Sequence, residues 1–325
     1  MPLVPRRAVV PSSLLVLASR QGGLISSTQA DAAGVGSTRR TRLVRDGMWG
    51  RPTHGVYDPT PGVRYGVDER RRRAAWTGLL AYGPGAVAVG SCALALLGVA
   101  GLPATLVPEV ALPAGRHHRP RDGVRVRCFG ETVPLEAVRH GAALVAGLTT
   151  ALVQAVPELG PRHALAVLDD VTRRGLLSAE GALEVRRRVV GRRGAAGVRD
   201  VWALVDARAE SPLESFARWD CTVAGLAPDE LQVEVRSTSG RLLGRADLGW
   251  RIDDGRWLLV EIDGRDVHES PAALLHDRHR QNALLGTGRV DVLRFAASDL
   301  GPSGVMLRTL RAHLAGRRRA PTPSW

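Results

Sequence analysis

The chain has 325 residues and a net charge of +13, which allows two or three domains and favours a polyanionic partner such as nucleic acid. All 45 basic residues are arginine, so a lysine general base or Schiff base is excluded. Cys92, Cys128 and Cys221 lie far apart and form no CxxC pair, which predicts a reducing, cytoplasmic environment and argues against a zinc site.

Two apolar stretches are expected to be neither an export signal nor a membrane span. The run 9–18 is interrupted by a Pro-Ser-Ser triplet and is followed by no clear small-residue cleavage site. The uncharged span 77–108 is long enough to cross a bilayer, but a Gly-Pro-Gly triplet and many alanines dilute it. A buried helix pair fits this span better, so we expect no membrane partner.

Residues 1–62 are expected to form a DNA-binding domain. Serines precede each of three short helical stretches as N-caps, and a Gly-Val-Gly turn separates the second helix from the third. Gly47 ends the third helix, and the stretch 49–57 is typical of a short wing. This order predicts a winged helix-turn-helix, whose third helix enters the major groove of DNA.

Four arginines are expected on the outer side of that third helix: Arg39, Arg40, Arg42 and Arg45. They form either a solvated face or a DNA contact, and the turn and wing favour DNA. The segment resembles the N-terminal winged-helix domain of AbiEi-type antitoxins. The matching residues are Gln21-Gly22-Gly23, the helix 39–47, Trp49 and Gly55-Val56-Tyr57.

Residues 63–205 are expected to form an α+β connector and scaffold domain. Strands over 109–112 and 124–128 flank a basic loop that contains His117 and His118. Adjacent side chains diverge and no cysteine or acid is spaced to help, so phosphate contact or no function is favoured over a metal. This stretch resembles the region that follows the winged helix in AbiEi-type proteins.

Residues 206–325 are expected to form a mixed α/β domain, with the order helix, three strands, helix, strand. The second and third strands, 246–252 and 257–263, flank an Asp-Asp-Gly loop that is typical of a hairpin. With Ser211 as cap and Pro212 at the first position, the first helix places Glu214 either as a capping-box partner or as a fourth acid aimed at a metal ion. The residues alone favour the cap.

The hairpin brings carboxylates together. If it folds about Asp254, Asp247 lies opposite Glu261, and strand alternation places Asp263 on the same face as Glu261. Acids on strands are usually solvated, but the run 257–263 is apolar on both faces, which favours a functional role. Three converging carboxylates repel one another unless a cation neutralises them, and Mg²⁺ is the natural candidate.

The C-terminal hundred residues resemble the very-short-patch-repair-like branch of the PD-(D/E)XK nucleases. The residues that carry the resemblance are the SPLE at 211–214, the GRAD at 244–247, the VEIDG at 260–264, His268, Asp277, Arg278, Arg280 and the VLR at 292–294. The resemblance implies a restriction-endonuclease-like mixed sheet flanked by helices and a Mg²⁺-dependent cleavage of DNA, with Mn²⁺ as a substitute metal.

Site roles follow from this resemblance residue by residue. Asp247 and Glu261 are implied metal ligands with Asp263 beside them, and Glu214 is implied to join them from the first helix. His268 is the implied general base or acid, and Arg278 or Arg280 would stabilise developing charge. Two departures stand out: the superfamily's usual lysine is Asp263 here, and Val267 replaces an aromatic residue.

The sequence therefore predicts a multi-domain α/β protein that acts as a metal-dependent DNA endonuclease with a DNA-binding winged helix. The alternative is an antitoxin-like transcriptional regulator that binds DNA, keeps an idle nuclease fold and has a toxin encoded nearby as its partner. The missing lysine and the AbiEi-like N-terminus motivate this alternative.

Overall fold

The computed structural model describes residues 10–112, 119–128, 135–252, 255–264 and 282–316. The chain forms two compact units, Met1–Glu158 with Leu183–Arg192, and Leu159–Ala182 with Arg193–Trp325. Three ranges were predicted, 1–62, 63–205 and 206–325, and the structure groups the residues differently. The first range and most of the second lie in one unit, and the helix that begins at Pro161 belongs with the C-terminal sheet.

The N-terminal segment of the first unit has the order helix, strand, helix, helix, strand, strand. Its elements are α1 (Ser12–Ser19), β1 (Ile25–Ser26), α2 (Ser27–Ala32), α3 (Ser37–Arg45), β2 (Gly50–Thr53) and β3 (Val56–Asp58). The strands form an antiparallel sheet in the order β1-β3-β2. Ser26 caps α2 as predicted, in a capping box with Gln29, whereas Gly36 rather than Ser37 caps α3.

The rest of the first unit packs helices on a five-stranded sheet. Its elements are α4 (Val67–Tyr82), β4 (Val87–Ala88), α5 (Gly90–Leu96), β5 (Glu109–Ala111), β6 (Arg125–Arg127), β7 (Ala137–His140), β8 (Ala143–Ala146) and α6 (Leu148–Ala155). The sheet order is β6-β5-β4-β8-β7. An ion pair between Arg73 of α4 and Asp58 of β3 at 2.5 Å ties this part to the N-terminal segment.

The uncharged span 77–108 lies in the end of α4, in α5 and in the turns around them. Its alanines and leucines are largely buried, as the buried helix pair required. Within the residues that the structure describes, no helix combines the length and the apolar character needed to cross a membrane.

The second unit is built on a mixed four-stranded sheet. Its elements are α7 (Pro161–Arg173), α9 (Pro212–Val223), β9 (Glu230–Arg236), β10 (Leu242–Arg251), β11 (Trp257–Asp263), β12 (Val290–Ala296) and the C-terminal helix Val305–Leu314, and α8 (Ala179–Val189) has residues in both units. The sheet order is β12-β11-β10-β9, with β12 parallel to β11 and the other pairs antiparallel. The predicted mixed sheet with flanking helices is confirmed at this level.

Both faces of this sheet are covered, which explains why β11 has apolar residues on both faces. One cluster packs Leu248, Trp250 and Val260 against α9 and the C-terminal helix. A second cluster contains Ala246 and Leu259. A carboxylate in β11 is therefore surrounded by apolar packing and loses hydration unless polar partners replace the water.

Candidate acidic site of the C-terminal sheet

The β10–β11 hairpin has the predicted register. Arg251 pairs with Trp257 and Leu248 pairs with Val260, so the hairpin is centred on position 254, although Asp253 and Asp254 themselves lie outside the described residues. The backbone pairing of β10 with β11 reaches Leu248. At the next residue, Asp247, the side-chain Oδ2 accepts the backbone N–H of Ile262 at 2.7 Å. The carboxylate of Asp247 is thus held against the part of β11 that carries Glu261.

Strand alternation breaks at Gln232, the neighbour of Asp247 on β9. Residues two apart in a strand normally share a face, yet Leu231 packs in the cluster of Trp250 while Val233 packs in the other cluster. Between them Gln232 has φ +54°, and it is the one non-glycine residue with positive φ among those described. A non-glycine residue in this region is strained by about 1–3 kcal/mol, and such strain is concentrated at functional sites.

Gln232 joins two of the predicted acids. Its Nε2 donates to Oε2 of Glu214 at 2.8 Å, and its side chain lies close enough to Asp247 to lower the pKa of that carboxyl. The unusual backbone angle of Gln232 therefore places its side-chain amide between the carboxylates of Glu214 and Asp247. No feature of the sequence pattern marked Gln232, because a glutamine in a strand is ordinary and its backbone angle is set by tertiary packing.

Of the two roles that the sequence left open for Glu214, the capping-box role is not formed, because its carboxylate does not accept the N–H of the cap residue. Ser211 caps α9, and its Oγ accepts the N–H of Glu214 at 3.3 Å. The Glu214 carboxylate accepts the backbone N–H of Glu210 at 2.8 Å, one residue before the cap, and the same oxygen meets Gln232. Glu214 is buried, with 7% of its surface exposed. Its carboxylate contacts Gln232 of the sheet and also accepts a backbone N–H just before its own helix, which stabilises the helix start.

Burial and mutual repulsion shift the protonation of this cluster. The pKa of Asp247 is raised to about 6, chiefly by burial; the bond from Ile262 opposes this shift and the carboxylates of Glu214 and Glu261 add to it. Burial also raises the pKa of Glu214, although the N–H of Glu210 opposes that shift. Two acids with pKa values raised side by side are typical of a site that exchanges a proton or awaits a cation.

Missing counter-charge distinguishes these two acids from the other buried carboxylates. Within the described ranges, every other fully buried acid has an arginine within ion-pair distance: Asp58 with Arg73, Glu109 with Arg127, Asp169 with Arg218, Asp170 with Arg173, Asp220 with Arg162 and Glu261 with Arg294. Glu214 and the half-buried Asp247 have amide and backbone N–H partners but no cation among the same residues. Among the described residues, their negative charge is therefore balanced only by amide and backbone N–H groups.

Glu261 is held differently. It is 6% exposed, and its Oε2 lies 2.8 Å from Nε of Arg294, its neighbour across the parallel β11–β12 pair. Arg294 was not predicted as a site residue. The strand that carries it follows thirty residues later, and sequence alone does not show which strand is parallel to β11.

The predicted three-carboxylate ligand set is not preformed. In the part of the chain that the structure describes, no group of three or more His, Cys, Asp or Glu side chains is arranged to hold a metal ion. Asp263 lies at the exposed end of β11, and Glu261 is drawn to Arg294, so Asp247, Glu261 and Asp263 do not converge as expected. His268, Arg278 and Arg280 lie outside the described residues.

A magnesium ion still fits the acids that do meet. Mg²⁺ is commonly bound by one or two carboxylates and completes its shell with water and substrate phosphate. The half-buried Asp247 and the buried Glu214 offer two carboxylates that contact no arginine among the described residues, and Glu261 lies near enough to raise the pKa of Asp247. The residues present therefore suit a divalent cation through Asp247 with one neighbouring acid, rather than through three.

Helix α3 presents fewer arginines than predicted. The expectation that Arg40 lies on its outer side is wrong, because Arg40 is 6% exposed. Its guanidinium reaches Asp31 at 2.5 Å and the carbonyl of Val35 at 2.7 Å, and it lies 5.5 Å from the centre of the Tyr57 ring. Arg40 therefore fastens α3 to α2 and β3, and it is not available to DNA.

The other three arginines keep some access to solvent. Arg42 and Arg45 are exposed and Arg39 is half-buried. Arg45 pairs with Asp46 at 3.0 Å, a fully solvated contact of little energetic weight. The basic surface of α3 thus rests on Arg39, Arg42 and Arg45.

The sequence matches no family model. Two curated proteins from two strains of Mycobacterium tuberculosis, both described as uncharacterized, are each 31% identical over 172 residues. The match covers 52% of this chain and 60% of each relative, so the chain spans less than two thirds of their length. Their descriptions name no activity, and the function must be argued from the side chains.

Proposed function

We propose that the protein is a metal-dependent DNA endonuclease whose site is built on Glu214, Asp247 and Glu261. The observation that carries the proposal is the pair Glu214 and Asp247, which contact no arginine among the described residues and lie on either side of the strained Gln232. The fully buried Glu261 beside them has an arginine partner. Two acids that lack a positive partner lower the stability of the folded protein. Binding of a cation between them would remove this repulsion, so a cation site explains why such acids are kept.

Each residue then has a role in phosphodiester hydrolysis. Asp247 with Glu261 or Glu214 would hold Mg²⁺, which when bound polarises a phosphate oxygen and acidifies a water. Gln232 holds Glu214 and Asp247 in place. Arg294 would be the donor nearest the scissile phosphate, and His268, implied by the family resemblance, would carry the proton.

The N-terminal segment would supply DNA affinity. Its element order of α1, β1, α2, α3 and the β2–β3 hairpin is typical of a winged helix-turn-helix, with α3 as the reading helix. Exposed Arg42 and Arg45 suit phosphate or base contacts, and the net charge of +13 favours DNA in general.

The test is nicking of supercoiled plasmid by the full-length protein with Mg²⁺ or Mn²⁺. Asp247→Ala and Glu261→Ala should each lower the nicking rate by at least about 100-fold, because a metal ligand is lost. Glu234→Gln is the matched control, since it removes an exposed carboxylate from the same sheet. Nicking that survives both alanine variants, or that falls equally in the control, rules the assignment out.

A second function is favoured by one contact. Arg294 already neutralises Glu261, as expected if the nuclease fold is retained without activity. The protein would then be an antitoxin-like regulator that binds operator DNA and pairs with a toxin. It would shift promoter DNA in a gel at salt concentrations that release random duplex, with no strand breaks at any metal concentration. Equal affinity for both duplexes would count against it.

A further inference from the structure

The first unit contains a cavity that takes no part in the acidic site. Its volume is about 590 Å³. It is bounded by the end of α4, the start of α2, the turn between β2 and β3, and residues of β7 and β8. The volume lies in the range of pockets that hold small organic ligands.

Two polar groups in its wall lack partners. Gln21 is 5% exposed, and its buried Oε1 accepts no hydrogen bond in the described part of the chain. Nε of Arg121 is likewise buried and unpaired there. Buried polar atoms are usually satisfied, so the Gln21 oxygen and the Arg121 Nε are available to hydrogen-bond a ligand in the cavity.

The wall also has a definite charge. Arg121 and Arg139 line it, and no acid does so among the described residues. Two aromatic side chains, Trp76 and Tyr82, share the wall, and the Arg121 guanidinium lies 5.9 Å from the centre of the Tyr82 ring. Arginines with flat aromatic surfaces suit a ligand that is both anionic and planar.

We propose that this cavity binds a nucleoside monophosphate. The Gln21 amide oxygen would accept a hydrogen bond from an amino or ring N–H group of the base, which would lie against Tyr82 or Trp76. Arg121 and Arg139 would hold the phosphate, for which the guanidinium fork is suited. The same chemistry is offered by a free nucleotide and by the phosphorylated end of a DNA strand. The proposal uses no residue of the acidic site and stands without nuclease activity.

The experiment is isothermal titration of the full-length protein with the four deoxynucleoside 5′-monophosphates, with inorganic phosphate and with the matching nucleosides. At least one monophosphate should bind at least tenfold more tightly than phosphate or its nucleoside. Arg121→Gln and Arg139→Gln should each weaken that binding about tenfold. Arg72→Gln is the control, because Arg72 is an exposed arginine of α4 outside the cavity wall.

Gln21→Leu separates a ligand role from a structural one. Leucine removes an unpaired buried acceptor at similar volume, so the ligand-free variant should melt at the wild-type temperature or above while its nucleotide affinity falls. A lowered melting temperature with unchanged affinity would assign Gln21 to packing and overturn the proposal.

Competition distinguishes the two sources of ligand. A 5′-phosphorylated tetranucleotide that displaces the monophosphate, where its unphosphorylated form does not, identifies a strand end; failure of both to compete identifies the free nucleotide. Binding of every monophosphate no tighter than inorganic phosphate, or insensitivity to both arginine variants, refutes the site.

Discussion

Replacing Asp247 by asparagine should stabilise the protein at neutral pH. The amide keeps an oxygen to accept the N–H of Ile262, and its NH₂ can donate to Glu214 or Glu261. Because the folded-state pKa of Asp247 is raised from 3.8 to about 6, the wild type loses stability as the pH rises through that interval. The asparagine variant has no such loss.

The pKa shift sets the size of the effect. A rise of about 2 units corresponds to about 3 kcal/mol of unfolding free energy, at 1.36 kcal/mol per unit. Water reaches part of the Asp247 carboxylate, so we expect about 2 kcal/mol at pH 7.5 and almost nothing at pH 4. For a unit of this size the corresponding rise in melting temperature is about 4–8 °C.

The assay is thermal unfolding of wild type, Asp247→Asn and the control Glu234→Gln at pH 4, 5, 6 and 7.5 without metal. The gain should grow with pH in Asp247→Asn only. Magnesium at tenfold above its dissociation constant should then stabilise the wild type by about 1.4 kcal/mol at pH 7.5 and leave the variant unchanged. A variant that melts below wild type at pH 7.5, or a gain that does not depend on pH, refutes an uncompensated buried charge at Asp247.

Three further predictions concern Gln232 and two arginines of α3. Gln232→Gly should be more stable than Gln232→Ala by about 1 kcal/mol in urea unfolding, because glycine relieves the positive φ, and both should lose nicking activity. Arg40→Ala should lower the unfolding free energy by about 2 kcal/mol, since Val35 and Asp31 lose their donor. Arg42→Ala should leave stability unchanged and flatten the slope of log affinity against log salt by about 0.9 in a DNA-binding titration. Equal stability of the two Gln232 variants, or an unchanged salt slope in Arg42→Ala, would contradict these assignments.

The hairpin could be predicted because its information is local. An Asp-Asp-Gly loop between two apolar runs admits few turn types, and the register then follows from loop length. That register alone predicted that Asp247 lies opposite Glu261 across the hairpin. Glu214 was recognisable for a similar reason, since a Ser-Pro-x-Glu start determines where the first turn of a helix lies.

Contacts between elements that lie far apart in the sequence could not be predicted from the sequence. The inward direction of Arg40 depends on Asp31 and Tyr57 in other elements, and helix periodicity does not separate a buried arginine from a solvated one when both lie beside apolar residues. Arg294 depends on a parallel strand pairing. The φ of Gln232 results from packing two clusters on opposite faces of one strand.

Arginine content is an ambiguous signal in a chain without lysine. Every permanently charged cationic side chain is then a guanidinium, and Arg40, Arg73 and Arg218 pair inside the fold with Asp31, Asp58 and Asp169. Part of the basic composition thus stabilises the fold and contacts no polyanion, so arginine count overstates the surface that DNA can meet. Buried acids are more informative, because the chain neutralises them so consistently. Among the described residues, Glu214 is the fully buried acid that contacts no arginine, and the proposed cation site rests on this exception and on its neighbour Asp247.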